Sequence, residues 1–227
     1  MNFNRLMRFL NYTDYSYYDV PMPSRSSIKT EYINNGKTDI QYILRIYSDR
    51  LLVAFRGTDS CKDMLTNLDF FKMNACPLRK HKKIRIHRGF FKAYTDAEIF
   101  DTISGYITDE IKTIEITGHS YGGALALICA ADLVCHFPDI RYEVVVFGAP
   151  RVGNKAFARL YDSYLPDTIR IENGSDIITK LPPPFLRYVH AGTTYHIGPR
   201  RIPVFYSFKE HSLCSYRRNL FKSVQAG

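Results

Sequence analysis

Residues 40–47, IQYILRIY, put Ile40, Tyr42, Leu44 and Ile46 on one face at a period of two, which predicts a strand. A three-residue turn, SDR, leads into LLVAF at 51–55. A continuous apolar run of that length belongs to a central strand covered on both faces. TIEIT (113–117), YEVVVFG (142–148) and DTIRIEN (167–173) read as further strands, and TTYHIG (193–198) as an edge strand. Longer segments alternate with them. Phe90, Phe91, Tyr94, Ala97, Phe100 (or Ile99), Ile103, Ile107 and Ile111 recur at helical spacing and predict one helix over 90–112. YGGALALICAADLVCHF is apolar nearly all round, the mark of a buried helix. Residues 3–18 predict a first helix. HSLCSYRRNLF predicts a last one, with Leu213, Tyr216, Leu220 and Phe221 on one side. Residues 60–86 read as irregular and basic, and LPPPF cannot continue a ladder.

From residue 51 onward strands and helices alternate, which predicts an α/β fold. Its central sheet is mostly parallel with an antiparallel N-terminal portion, and helices cover both faces. A chain of 227 residues suits a single domain over 1–227. Ligands in such sheets sit at the carboxyl ends of the strands.

Charge and cysteine usage narrow the picture. Lys and Arg number 31 against 22 Asp and Glu, so the net charge of +9 favours acidic partners. The five cysteines contain no CxxC pair, which argues against a zinc site. They read as mostly buried free thiols in a reducing compartment, with a Cys61–Cys76 bridge left open. Arg5, Arg8 and Asn11 interrupt the N-terminal apolar positions, so no signal peptide is read there. No apolar run is long enough for a transmembrane helix. The expected location is the cytoplasm or the periphery of a membrane.

One stretch carries chemistry. TGHSYGGALA (117–126) sets Ser120 between the predicted strand TIEIT and the predicted buried helix. A GxSxG pattern alone is weak, but strand, serine, helix in that order is a nucleophile elbow. The glycines have a steric reason, since neighbouring side chains would clash with strand and helix. The amides opening the helix point at the serine, where an oxyanion can be held. A serine hydroxyl needs a base, and the base an orienting carboxylate. In this arrangement the chain order is serine, acid, histidine. Asp176 follows the strand TIRIEN in a turn and is the leading acid over Asp139, Asp162 and Asp167. Of seven histidines, His211 lies on a loop near the chain end and is the leading base. Thr58, in FRGT after the buried strand, and Tyr121 are candidates for the two oxyanion N–H groups.

These blocks resemble the class 3 lipases, the fungal triacylglycerol-lipase-like family of the α/β-hydrolases. VAFRGT, IHRGFFKAY, ITGHSYGGALA, FGAPRVGN, ENGSDIITKLPP and EHSLCSY match in order over roughly residues 40–221, and YVHAGTTYHI adds a weaker seventh. The resemblance implies an α/β-hydrolase fold, with Ser120 as nucleophile, Asp176 as acid, His211 as base, and Thr58 and Tyr121 at the oxyanion hole. It implies a lid after the RG dipeptide. Here residues 60–75 hold that place, with Asp63 near its start and Met64, Leu65, Leu68 and Phe71 forming one apolar face. The expected activity is hydrolysis of lipid carboxylic esters of the triacylglycerol or diacylglycerol type. It needs no metal and no organic cofactor. A phospholipase A1 or small-ester esterase is the alternative within enzymes. A catalytically silent lipase-like interaction protein, as among plant immune regulators, is the alternative outside them.

The run RKHKKIRIHR adds a partner. Arg79, Lys80, Lys82, Lys83, Arg85 and Arg88 could draw the chain to an anionic membrane surface. No nucleic-acid-binding module accompanies the charge, so no nucleic-acid partner is expected.

Overall fold

A computed structural model describes residues 2–18, 28–58, 71–73, 83–199 and 206–225. Its main sheet has seven strands: β1 (Lys29–Asn35), β2 (Ile40–Ile46), β3 (Arg50–Phe55), β6 (Thr113–His119), β7 (Arg141–Phe147), β8 (Ile169–Asn173) and β9 (Thr193–Ile197), side by side in that order. β1, β2 and β3 pair antiparallel, and β3, β6, β7, β8 and β9 pair parallel in that order. This is the expected α/β sheet. β9 is one of its two edge strands, as read from the sequence. The short β4 (Lys72–Met73) and β5 (Ile86–His87) form a separate antiparallel pair.

Alternation along the strands feeds two cores. Leu51, Val53 and Phe55 of β3, Ile114 and Ile116 of β6, and Val144 and Val146 of β7 face one side. There they meet α4 (Tyr121–His136), buried from Gly122 through Val134, which explains a sequence apolar all round. The same layer holds α2 (Arg88–Asp96), α3 (Ile99–Ser104) and α5 (Lys155–Tyr164). On the other side, Val145, Phe147, Ile171 and Ile197 meet Leu6, Phe9 and Leu10 of α1 (Phe3–Tyr15) and Tyr216 and Leu220 of α6 (Leu213–Gln225).

Several expectations need correction. The single helix over 90–112 is two short helices, α2 and α3, broken at Glu98, whose φ of 52° is left-handed. The buried positions Phe90, Tyr94 and Ala97 are followed by Ile99 after a step of only two. A continuous helix would turn Ile99 away from the core, so the chain breaks and restarts. The period-two face of β2 is incomplete, because Ile43 is buried too while Ile46 is only half-buried. Phe221 is 53% exposed and lies off the buried side of α6, which Tyr216 and Leu220 form. The first helix stops at Tyr15. Residues 60–86 are not irregular throughout, since 72–73 and 86 belong to the small sheet. β1 and α5 were not foreseen. α5 buries Phe157, Ala158 and Tyr161 at helical spacing.

The three described cysteines are all free, but only Cys129 is buried; Cys135 is half-buried and Cys214 exposed. Cys61, Cys76, Asp63, Met64, Leu65, Leu68, Arg79, Lys80 and Lys82 lie outside the described residues. Of the lid segment only Phe71, Lys72 and Met73 are described, and Phe71 is exposed. Among the described residues no helix is long and apolar enough to cross a membrane, and no group of three or more His, Cys, Asp or Glu could hold a metal ion.

Candidate active site

The carboxyl ends of β3, β6, β7 and β8 converge on one end of the sheet. β6 passes through His119 into Ser120, and α4 begins at the next residue. Ser120 has φ 57° and ψ −124°, a conformation a non-glycine residue rarely holds. Its N–H donates to the carbonyl of Phe147 at 3.0 Å, and its carbonyl accepts from Ala124 N–H at 3.2 Å. β7 and the first turn of α4 thus hold the strained residue in place. The elbow read from TGHSYGGALA is present as strand, turn and helix.

Asp176 follows β8 in a turn closed by its own N–H to the carbonyl of Asn173 at 3.0 Å. Its Oδ1 accepts from the N–H of Ile178 at 2.9 Å. His211 closes a 3-10 turn over Lys209–His211, just ahead of α6. Its Nδ1 lies 2.8 Å from Oδ2 of Asp176, and both side chains are 1% exposed. The two turns are stitched together. Ser207 N–H donates to Ser175 O at 3.0 Å, Asn173 Nδ2 donates to Glu210 O at 2.7 Å, and Ser175 N–H donates to the Glu210 carboxylate. A carboxylate buried and satisfied in this way orients an imidazole and stabilises its charged form.

Gly148, just after β7, lies under this pair: a Cβ there would stand 3.0 Å from Asp176 Oδ2, His211 Cε1 and the Tyr216 hydroxyl. Gly57 lies against Ser120, since a Cβ on it would be 3.3 Å from Cβ of Ser120. Thr58 is the next residue along the chain, beyond the end of β3. The Tyr121 amide opens α4, where helix N–H groups are unpaired by the helix itself. The Tyr121 ring packs edge-on against Phe90 at 5.4 Å, and burial pushes its pKa up to about 12.

The sequence missed two residues that touch the acid and the base directly. Tyr216 was read as a core residue, yet its hydroxyl donates to Oδ2 of Asp176 at 2.6 Å. Burial and then the charge of Asp176 push its pKa well above the usual phenol value, so it stays a donor. His119 precedes the serine, against the chain order serine, acid, histidine, yet its ring stacks on that of His211 at 4.5 Å. Its place inside the elbow motif was the available signal. Tyr216 offered none beyond its position five residues after the base.

The family model for Lipase (class 3) matches residues 52–186, more than half of the chain. The chain belongs to the class 3 lipases. One relative is the lipase of Rhizomucor miehei, 32% identical over 185 residues, covering 77% of this chain and 50% of the relative. Phospholipase A1-II 4 of Oryza sativa is 31% identical over 179 residues, covering 67% of this chain and 44% of that protein. The chain therefore spans about half the length or less of these curated relatives. Among solved structures, the Rhizomucor miehei triacylglyceride lipase superposes with a TM-score of 0.69 at 26% identity, covering 86% of this chain and 79% of that one. The fold is thus that of an α/β-hydrolase, as the class 3 lipase blocks implied.

Proposed function

We propose that this chain hydrolyses carboxylic esters of lipids, of the triacylglycerol or diacylglycerol type, through an acyl-enzyme on Ser120. The 2.8 Å contact of His211 Nδ1 with the buried Asp176, beside the strained elbow of Ser120, carries the reading. His211 takes the proton from the Ser120 hydroxyl through Nε2 as the serine oxygen attacks the ester carbonyl. The N–H groups of Thr58 and Tyr121 hold the oxyanion; one such donor is typically worth about 3 kcal/mol. His211 then protonates the leaving alcohol, and the acyl group remains on Ser120. Water, deprotonated by His211, attacks the acyl-enzyme and releases the fatty acid. Asp176 keeps the hydrogen of neutral His211 on Nδ1 and stabilises the imidazolium.

The test is labelling with a fluorophosphonate, wild type against Ser120→Ala. Ser120-dependent labelling is expected, and its absence would sink the reading in favour of a silent interaction protein. Hydrolysis of triacylglycerol, diacylglycerol and phosphatidylcholine emulsions then separates the acylglycerol reading from phospholipase A1 activity, which the name of the rice relative favours.

Contact with an anionic membrane is part of the proposal. Phe71 and Phe185 are 70% and 83% exposed. The Arg88 guanidinium sits over the Phe71 ring at 5.2 Å. Lys72, over the Tyr188 ring at 4.2 Å, lies close enough to Arg187 and Arg85 for their charge to lower its pKa, after burial. Exposed aromatic rings among cations suit an anionic interface. Ser120→Ala protein should sediment with phosphatidylglycerol vesicles and not with phosphatidylcholine vesicles. Equal sedimentation with both would remove the electrostatic part of the reading.

A further inference from the structure

The N-terminal helix lies outside residues 52–186, yet its far end reaches the candidate triad. Buried Leu6, Phe9 and Leu10 fix α1 on the sheet. Ion pairs of Arg8 with Glu115 at 2.5 Å, Arg5 with Glu143 at 3.1 Å and Asp14 with Arg217 at 2.7 Å hold its register. Two residues beyond its last turn, the Tyr17 hydroxyl lies 2.8 Å from Nδ1 of His119. The other ring nitrogen, Nε2, lies 2.8 Å from the main-chain oxygen of His211.

These distances decide the tautomer. A carbonyl oxygen only accepts, so Nε2 of His119 carries the hydrogen. Burial, and then the charge His211 can carry, hold the His119 pKa well below the ordinary histidine value. The ring is therefore neutral, its Nδ1 accepts, and the Tyr17 O–H donates. A directed chain results: Tyr17 to His119, and His119 to the carbonyl of His211. The groups around the His119 ring are Tyr17 from beyond α1, His211 from the 3-10 turn, and Tyr216 from α6 at 5.8 Å. None of the three carries a fixed charge. When His211 is protonated during acyl transfer, the ring stacked on it must stay neutral, and the Tyr17 bond occupies the lone pair that would take a second proton.

We infer that Tyr17 and His119 are a positioning pair for the base: they fix the main chain and the ring plane of His211 through contacts separate from its bond to Asp176. The proposal rests on the triad reading above. The base then has two independent anchors, Asp176 on its ring nitrogen and His119 on its carbonyl. The second anchor is itself held by Tyr17, from the other end of the chain. Tyr17 also spans to the oxyanion side, because a Cβ on Gly57 would collide with its hydroxyl. One tyrosine thus braces the histidine turn against the end of β3.

The experiment compares wild type, Tyr17→Phe, His119→Gln and His119→Leu in the full chain. Fluorophosphonate labelling rate and stoichiometry, kcat and KM on a soluble p-nitrophenyl ester, and thermal midpoint are measured, with Ser120→Ala as the control. Tyr17→Phe should lower kcat and the labelling rate by about tenfold, the scale of one buried hydrogen bond. KM and labelling stoichiometry should stay as in wild type. His119→Leu should lose more. His119→Gln, whose amide nitrogen can take the place of Nε2, should recover most of that loss. Wild-type rates in both Tyr17→Phe and His119→Leu would overturn the inference while leaving the triad intact. So would losses matched by falling stoichiometry and thermal midpoint, or a His119→Gln variant no better than His119→Leu. No Ser120-dependent label in the wild type would instead overturn the reading beneath it.

Discussion

The Tyr216 hydroxyl and His211 Nδ1 share one oxygen, Oδ2 of Asp176, at 2.6 and 2.8 Å. The same hydroxyl accepts from the N–H of Asn173 at 3.2 Å. Tyr216 therefore links the acid to the strand end that carries it. Tyr216→Phe keeps the ring in its core and removes both bonds. Turnover should fall by about tenfold, since a charge-assisted bond to the carboxylate is lost. Stability should fall by about 1–3 kcal/mol, because the buried Asn173 N–H loses a partner. Steady-state kinetics and urea unfolding check the two effects separately. Unchanged turnover would mean that Tyr216 only fills space.

Asp176→Asn tests the acid. The amide keeps the size of the carboxylate and can still accept from Ile178 N–H. It no longer holds the hydrogen of His211 on Nδ1 or balances the imidazolium. Turnover should drop by about 10³–10⁴-fold with the fold retained, the scale known for this change in serine triads. Turnover above a tenth of wild type, with a native circular dichroism spectrum, would put the acid elsewhere.

Acid should unfold the protein partly through the network behind β8. Burial raises the pKa of Glu172, but Arg170 and Lys180, each 2.8 Å away, outweigh it and hold the group at about 2. Burial, then Arg170 and Arg151, lower His190 to about 3. For Glu172 the folded pKa lies below the unfolded one. Its stabilisation is complete above about pH 4.5 and is lost as pH falls toward 2. Buried neutral His190 adds its own loss from about pH 6.5 down to 3, because the unfolded chain takes up that proton first. The glutamate part is worth on the order of 3 kcal/mol. Urea midpoints across pH 7 to 3 should decline, and Glu172→Gln should be less stable at pH 7 with a shallower decline below pH 4.5. A parallel decline in the variant would remove Glu172 as the source.

The sequence made much of this legible, for reasons that differ by element. β3 and α4 were readable because both faces of the strand and nearly the whole surface of the helix are apolar, so periodicity was not needed; β6 was readable from Ile114 and Ile116 alternating with Thr113, Glu115 and Thr117. Ser120, Asp176 and His211 were readable because elbow, strand-end turn and late loop each leave a local mark. α2 and α3 were merged because Phe100 keeps the helical spacing from Ala97 to Ile103 and so hides the two-residue step at Ala97–Ile99. β1, with the sequence KTEYINN, is an edge strand in which every residue is half-buried or exposed, so it carries little apolar signal. Tyr17, His119 and Tyr216 were missed as site residues because their roles depend on contacts 40 to 102 positions away in sequence. No local pattern encodes such contacts.

Gly122 tests how tightly the elbow is packed. It opens the second position of α4, opposite the last residues of β3. A Cβ there would lie 2.5 Å from the carbonyl oxygen of Arg56 and 2.6 Å from that of Phe55. Both neighbours are backbone, so no rotamer change relieves the contact, and helix and strand must separate. That movement displaces Gly57 and Thr58 relative to Ser120, on the oxyanion side. Asp176 and His211 hang from β8 and α6 and should be left in place. Gly122→Ala should therefore cut kcat by about 100-fold, the cost of misplacing a catalytic group by about 1 Å. Labelling should slow in proportion, whereas the fluorophosphonate should still react with Ser120 alone. Backbone overpacking should also lower stability by about 1–3 kcal/mol. Rate constants for labelling, read beside the urea midpoint, separate the two effects. If the midpoint drops and the labelling rate does not, strand β3 does not set the oxyanion side of the site.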